Sequence, residues 1–198
     1  MQIAHVASST NYAFGPLTLR APGAEARHAV ALFRTVDRVL QFAFEVGAAS
    51  GVKTAKLNEF TSPGSSDNNL SLAERKIQAL WIMDVIRTHL TAEQRAWVEA
   101  NYDGAGSIRS RAIAALALYV EDIHASRALL VGLVTRNFDH GEPYCKSCRE
   151  IARSAGVPAT TACRADQKVM RAMDELRDTV ERQLRPQLER RGWLVRAA

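Results

Sequence analysis

Cysteine is scarce: three residues, Cys145, Cys148 and Cys163, stand in a chain of 198. So small and odd a number excludes the disulfide framework that holds small exported domains together, and free thiols are the expectation. Long apolar runs are lacking too. The longest uninterrupted one, Ile113 to Val120, falls far below the roughly 20 residues needed to span a bilayer, so no membrane association is expected. The opening Met1-Gln2-Ile3-Ala4-His5 lacks the basic start, apolar stretch and cleavage site of a secretory signal, and a cytoplasmic location is expected. There is no glycine-rich phosphate loop, nucleophile elbow, kinase signature or protease signature. His5, His28 and His89 stand singly, which suits structural or surface histidines rather than general bases. Glu121, Asp122 and His124 come nearest to a metal-nuclease cluster, but no matching carboxylate motif accompanies them. A solvated helix face accounts for them, no enzyme is expected, and no cofactor is implied.

What is present is ordinary in amount and uneven in placement. Hydrophobic residues make up 47% and charged residues 24%, the composition of a globular chain able to bury a core. The formal charge is +5, and it is not spread evenly. Residues 1 to 145 carry 14 basic and 14 acidic side chains, whereas residues 146 to 198 carry 12 basic and 7 acidic. The whole excess lies in the last 53 residues, the electrostatic footprint of a segment that contacts a phosphate backbone.

Periodicity predicts an all-α chain: a helical body followed by a C-terminal pair of helices joined by a tight turn. Residues 1–25, with Gly15-Pro16 and Pro22-Gly23, read as an irregular arm. The body covers 26–138. Ala29, Val30, Phe33, Val36, Leu40, Phe44 and Gly47 recur at helical spacing, predicting a helix from Ala26 that ends near Gly47 or Gly51. Residues 61–69 are too rich in turn formers to be other than a linker. Ser71-Leu72-Ala73-Glu74 and Thr91-Ala92-Glu93-Gln94 match the capping box, in which side chains satisfy two orphan backbone donors reciprocally. They predict helices over 72–89, with Ile77, Leu80, Trp81, Val85 and Thr88 on one face, and over 92–102. A long helix hydrophobic on more than one face is then expected from Ser107 to Asn137. No alternation long enough for a sheet is present.

Residues 139–198 form the remaining module, with a basic C-terminal extension. A turn near Gly141 precedes a third capping box, Ser147-Cys148-Arg149-Glu150, which opens a short helix. Gly156 supplies a turn needing positive φ, and Ala152 is small where two helices cross steeply. Ile151, Val157 and Ala162 give the apolar contacts between the helices, and Pro158 suits the first turn of the second. Leu176, Val180 and Leu184 continue that helix until Pro186 is expected to interrupt it. Leu188, Trp193 and Leu194 are expected to fold back on the body.

The run Ile151-Ala152-Arg153-Ser154-Ala155-Gly156-Val157-Pro158-Ala159-Thr160-Thr161-Ala162-Cys163-Arg164 resembles the helix-turn-helix family of DNA-binding proteins. It departs from the family pattern at Pro158, where a serine cap is usual, and at Ala162, where a larger apolar residue is usual. The resemblance implies double-stranded DNA as partner. Ala159, Thr160, Cys163, Arg164 and Gln167 would face base edges, with Arg164 able to contact guanine and Gln167 adenine. Lys146, Ser147, Arg149, Arg153, Lys168 and Arg171 would contact phosphates. Upstream, Leu90 to Tyr102 resembles the first helix of sigma-factor region four. Together these likenesses imply a transcription regulator, with phage antitermination factors acting through RNA polymerase as one model. Homo-oligomerisation is the other role open to the body. A phage terminase small subunit, a DNA-packaging adaptor with the same motif, is the alternative. Cys145 and Cys148, with His140 and Cys163, offer four candidate zinc ligands, but one Cys-x-x-Cys is half of a usual structural site and a site using Cys163 would compete with DNA reading, so no metal is expected.

Overall fold

The computed structural model describes residues 33–48, 72–139 and 145–195, and among these the chain is all-α. The helices are α1 Val36–Ala48, α2 Leu72–His89, α3 Ala92–Tyr102, α4 Gly106–Tyr119, α5 Arg127–Phe138, α6 Cys148–Ser154 and α7 Ala159–Arg190. The expected arm at 1–25, the linker at 61–69, the capping box begun by Ser71, the turn at Gly141 and His140 lie outside the described residues. No helix among the described residues is long and apolar enough to cross a membrane.

Local chemistry sets several helix ends. Thr91 caps α3 as a capping box: its hydroxyl accepts from the Gln94 N–H at 3.4 Å and Gln94 Oε1 accepts from the Thr91 N–H at 2.9 Å. In α1, Val36, Val39, Leu40, Ala43, Phe44 and Val46 are buried, the stripe the helical spacing requires. The buried face of α2 is Ala79, Ile82, Val85 and Ile86, not the face drawn through Ile77, Leu80 and Trp81, which are exposed. Apolar residues nearly encircle this helix, so periodicity alone did not select its core side.

The single helix expected from Ser107 to Asn137 is two. α4 ends at Tyr119, a 3-10 turn follows at Glu121–Ile123, and α5 starts at Arg127. His124 is extended, and its Nδ1 accepts from the Ser126 N–H at 2.9 Å. The Ser126 hydroxyl caps α5 by accepting from the Leu129 N–H. The two-sided hydrophobicity belongs to two shorter helices packed on each other, with Ala112, Ile113, Leu116 and Ala117 from α4 and Leu129, Leu130, Leu133 and Val134 from α5 all buried.

α7 runs through the expected break at Pro186 and ends at Arg190. Its buried side chains, Ala162, Ala165, Val169, Met173, Leu176, Val180, Leu184 and Leu188, recur every three or four residues. It packs in turn on α6, α5, α3, α2 and α1. One apolar core holds side chains from all seven helices. After α7 the chain folds back as expected: Trp193 and Leu194 are buried. Phe33 N–H donates to the Trp193 carbonyl at 2.9 Å and Val195 N–H donates to the Phe33 carbonyl at 3.2 Å, fastening the end of α7 to the start of α1.

Candidate nucleic-acid interface

The segment 145–171 is shaped by its caps. Ser147 opens α6 with a capping box: its hydroxyl accepts from the Glu150 N–H at 3.3 Å, and Glu150 Oε2 accepts from both the Ser147 N–H and the Ser147 hydroxyl at 2.7 Å. These bonds, the side-chain one first, hold the Glu150 carboxyl below its ordinary pKa. α6 closes with a Schellman motif, since Gly156 N–H donates to the Arg153 carbonyl at 3.3 Å and Val157 N–H to the Ala152 carbonyl at 3.0 Å. Gly156 has φ +67°, which only glycine adopts without strain. Pro158 then sits at the N-cap of α7, one position before the helical first turn expected for it, and no side chain caps this helix.

The pair is anchored from below. Ile151, Ala152 and Ala162 are buried, and Val157 packs against the core. Ile151 reaches α5 at Gly132, where a Cβ would lie only 2.7 Å from Ile151 Cγ2; glycine is what lets α6 approach. Arg136 of α5 pairs with Asp166 of α7 at 2.7 Å.

Above this base, α7 is sharply two-sided. Ala162, Ala165 and Val169 face the core, whereas Ala159, Thr160, Cys163, Arg164, Gln167 and Arg171 are exposed. At 100° per residue, Thr160, Cys163, Arg164, Gln167 and Arg171 share one face, opposite the buried stripe. Lys146, Arg149, Arg153 and Lys168 are also exposed. Among the described residues none of the six cations from Lys146 to Arg171 forms an ion pair. Ser147 is exposed, but its hydroxyl is already committed to Glu150. The structure therefore brings Thr160, Cys163, Arg164 and Gln167 of the predicted base-facing set onto one helix face, leaves Ala159 exposed to one side of it, exposes the cations of the segment, and leaves Ser147 as a cap.

The charge excess is narrower than the sequence division suggested. Residues 146–171 hold six basic and two acidic side chains, while 172–198 hold six and five. Both acids in the first group, Glu150 and Asp166, are bound to Ser147 and Arg136. Asp166 is neutralised by Arg136, and exposed Glu150 remains one carboxylate beside six cations, a clear positive excess that is favourable to a polyanion.

The thiols are divided between two environments. Cys145 Sγ lies 3.8 Å from the Arg136 carbonyl, whereas Cys148 packs partly against the core, and burial, then neighbouring Cys163, pushes its thiol up to about 11. Among the described residues no group of three histidine, cysteine, aspartate or glutamate side chains could hold a metal ion. Glu121 and His124 border a shallow hollow of about 250 Å³ with Arg127 and Leu130. A second, more polar hollow of about 430 Å³ is lined by Asp37, Asn101, Tyr102, Asn137, Asp174 and Arg177. Neither includes a residue of the cationic segment. No family model, curated protein or solved structure matches the chain.

Proposed function

We propose that this protein is a sequence-specific, double-stranded DNA-binding regulator of transcription, in which α6 and α7 act as a helix-turn-helix. The observation that carries the reading is the two-sidedness of α7. Its first three turns bury Ala162, Ala165 and Val169 and expose Thr160, Cys163, Arg164 and Gln167 among unpaired cations. A B-DNA major groove admits a helix of this kind, and Arg164 and Gln167 carry the paired donors and acceptors that read guanine and adenine edges. Lys146, Arg149, Arg153, Lys168 and Arg171, all exposed in the same segment, supply the sequence-independent attraction to phosphates. The uncapped first turn of α7 adds backbone N–H groups that favour an anion. The resemblance of 151–164 to helix-turn-helix proteins and of 90–102 to a sigma-factor helix supports transcription as the process, with RNA polymerase as the second partner.

The test is selection of bound sequences from a random duplex library with wild type, Arg164→Ala and Arg153→Ala. Wild type is expected to enrich a defined motif. Arg164→Ala relaxes preference at one base pair, a loss of about 1–3 kcal/mol in discrimination. Arg153→Ala weakens binding to every sequence and lowers the salt slope by about one. Equal losses on all sequences for both variants, or no enriched motif, overturn the reading.

A further inference from the structure

The outer side of α2 is apolar where a solvated helix face would be polar. Leu80 is 68% exposed, Ile77 47% and Trp81 37%. Ile77 stands three and four residues before the other two, so the three side chains form one patch. The other strongly exposed large hydrophobic residues among the described ones are spread over α4, α7 and the chain beyond it. From behind, α2 is held in place: Ala79, Ile82, Val85 and Ile86 are buried, and the helix packs on α1 and α7. A contiguous apolar patch on an ordered helix, rimmed by charge, marks a surface that another protein covers.

The charges on this face point to the covering protein. Lys76 and Asp84 lie four residues before and four residues after Leu80, both exposed, and among the described residues neither forms an ion pair. The row therefore reads cation, leucine, anion at equal spacing. Reversing its direction exchanges the two charges and leaves the leucine in place. A second copy of the chain laid antiparallel, with the two-fold axis beside Leu80, sets each Lys76 next to the second copy's Asp84 and brings the two Leu80 side chains together. Rows spaced by four on two helices interdigitate at a crossing angle of about 50°, the commonest helix packing. Ala73 and Arg87, both exposed, are placed in the same way, seven residues before and after Leu80, and the small side chain leaves room for the long one. A partner of another sequence needs no such symmetry.

We propose that this protein self-associates as a two-fold symmetric dimer through the Ile77, Leu80 and Trp81 face of α2, with Lys76 and Asp84 pairing reciprocally between the copies. Leu80 and Trp81 are the apolar anchors, and the reciprocal ion pairs fix direction and register. Three apolar side chains fall short of the about 800 Å² per partner that a standard interface buries, so the dissociation constant is expected at about 10–100 µM. The contact stands whether or not α7 reads DNA.

The experiment is sedimentation velocity on the full chain, without DNA, from about 1 µM to about 300 µM. Wild type is expected to pass from monomer to dimer over this range. Leu80→Glu places a charge at a site already exposed, so the fold is kept, as an unchanged circular dichroism melting curve checks. It raises the dissociation constant by about tenfold or more. Lys76→Glu and Asp84→Lys each set like charges together at both ends of the contact, and each weakens the dimer about tenfold. The double variant restores opposite pairs and returns to within about threefold of wild type. Wild type that stays monomeric throughout, a higher oligomer in place of the dimer, or Leu80→Glu that associates as wild type does, overturns the dimer. Single charge variants that associate as wild type does, or a double variant as weak as the singles, overturn the reciprocal pairing.

Discussion

At the scale of single residues, two contacts join parts of the chain that the sequence keeps apart. Gly132 has room for a hydrogen and nothing more: an added methyl meets Ile151 Cγ2 at 2.7 Å. Ile151 is buried and β-branched, so it has few rotamers in which to retreat. Alanine would gain about 1 kcal/mol of helix propensity in α5, but overpacking costs about 1–3 kcal/mol, and the second term wins. Gly132→Ala is therefore expected to lower the melting temperature by about 2–4 °C, measured by circular dichroism. A rise in melting temperature would mean that α6 can shift away freely. The second contact is the Tyr102 hydroxyl, which donates to Asp37 Oδ1. Burial, then this bond, raises the Tyr102 pKa. Because the folded value lies above the unfolded value of about 10, the contribution is complete below pH 10 and is lost progressively as pH rises beyond it. Denaturant titrations of wild type and Tyr102→Phe at pH 8 and pH 11 check this. Wild type should lose more stability over that interval than the variant, and parallel losses would remove Tyr102 as the cause.

Whole elements were legible where a cap and helical spacing agree, although in α2, apolar on most sides, the spacing hid which face is buried. The bounds of α2, α3 and α6 follow from their starts and spacing, and Gly156 was readable because the tight turn after α6 requires positive φ. The division between α4 and α5 was not readable by the same means. Its signal is Ser126, whose hydroxyl caps α5, but Leu129 stands where a capping box would have glutamate or glutamine. Pro186 misled in the opposite direction. Proline inside a helix costs about 3 kcal/mol relative to alanine, yet Leu184 and Leu188 on either side are buried, and each contributes about 1.5–3 kcal/mol by leaving water. Packing outweighs the local penalty, and the helix continues. Pro186 itself is exposed, so its replacement removes the penalty while keeping the packing. Pro186→Ala is expected to stabilise the protein by about 1–3 kcal/mol, read as a higher denaturation midpoint in urea with an unchanged slope. An unchanged midpoint would imply that the end of α7 needs the bend proline imposes.

At the scale of the whole molecule, the candidate interface was half legible. The exposed face of α7 and its cations follow from spacing and charge, whereas Gly132, Arg136 and Cys148 join it through contacts between helices that no local pattern reveals. The same contacts decide how the interface is stabilised. α6 is seven residues long, too short to hold itself as a helix, and depends on α5 and on the start of α7. α7 in turn is fixed along its length by the other helices, with Leu184 fully buried about 37 Å from Ala159 along the axis. One core therefore governs both ends, and damage at one should be felt at the other. Leu184→Ala, costing about 2–5 kcal/mol, is expected to reduce the hydrogen-exchange protection of the Ala155 and Val157 amides as much as that of the Leu133 and Val134 amides. Equal losses mean that α6 and the start of α7 open only when the whole molecule does. Loss confined to the body, with Ala155 and Val157 unchanged, would make α6 and the start of α7 a separately opening unit, and the rigidity that the proposed base reading requires would then have to come from the DNA.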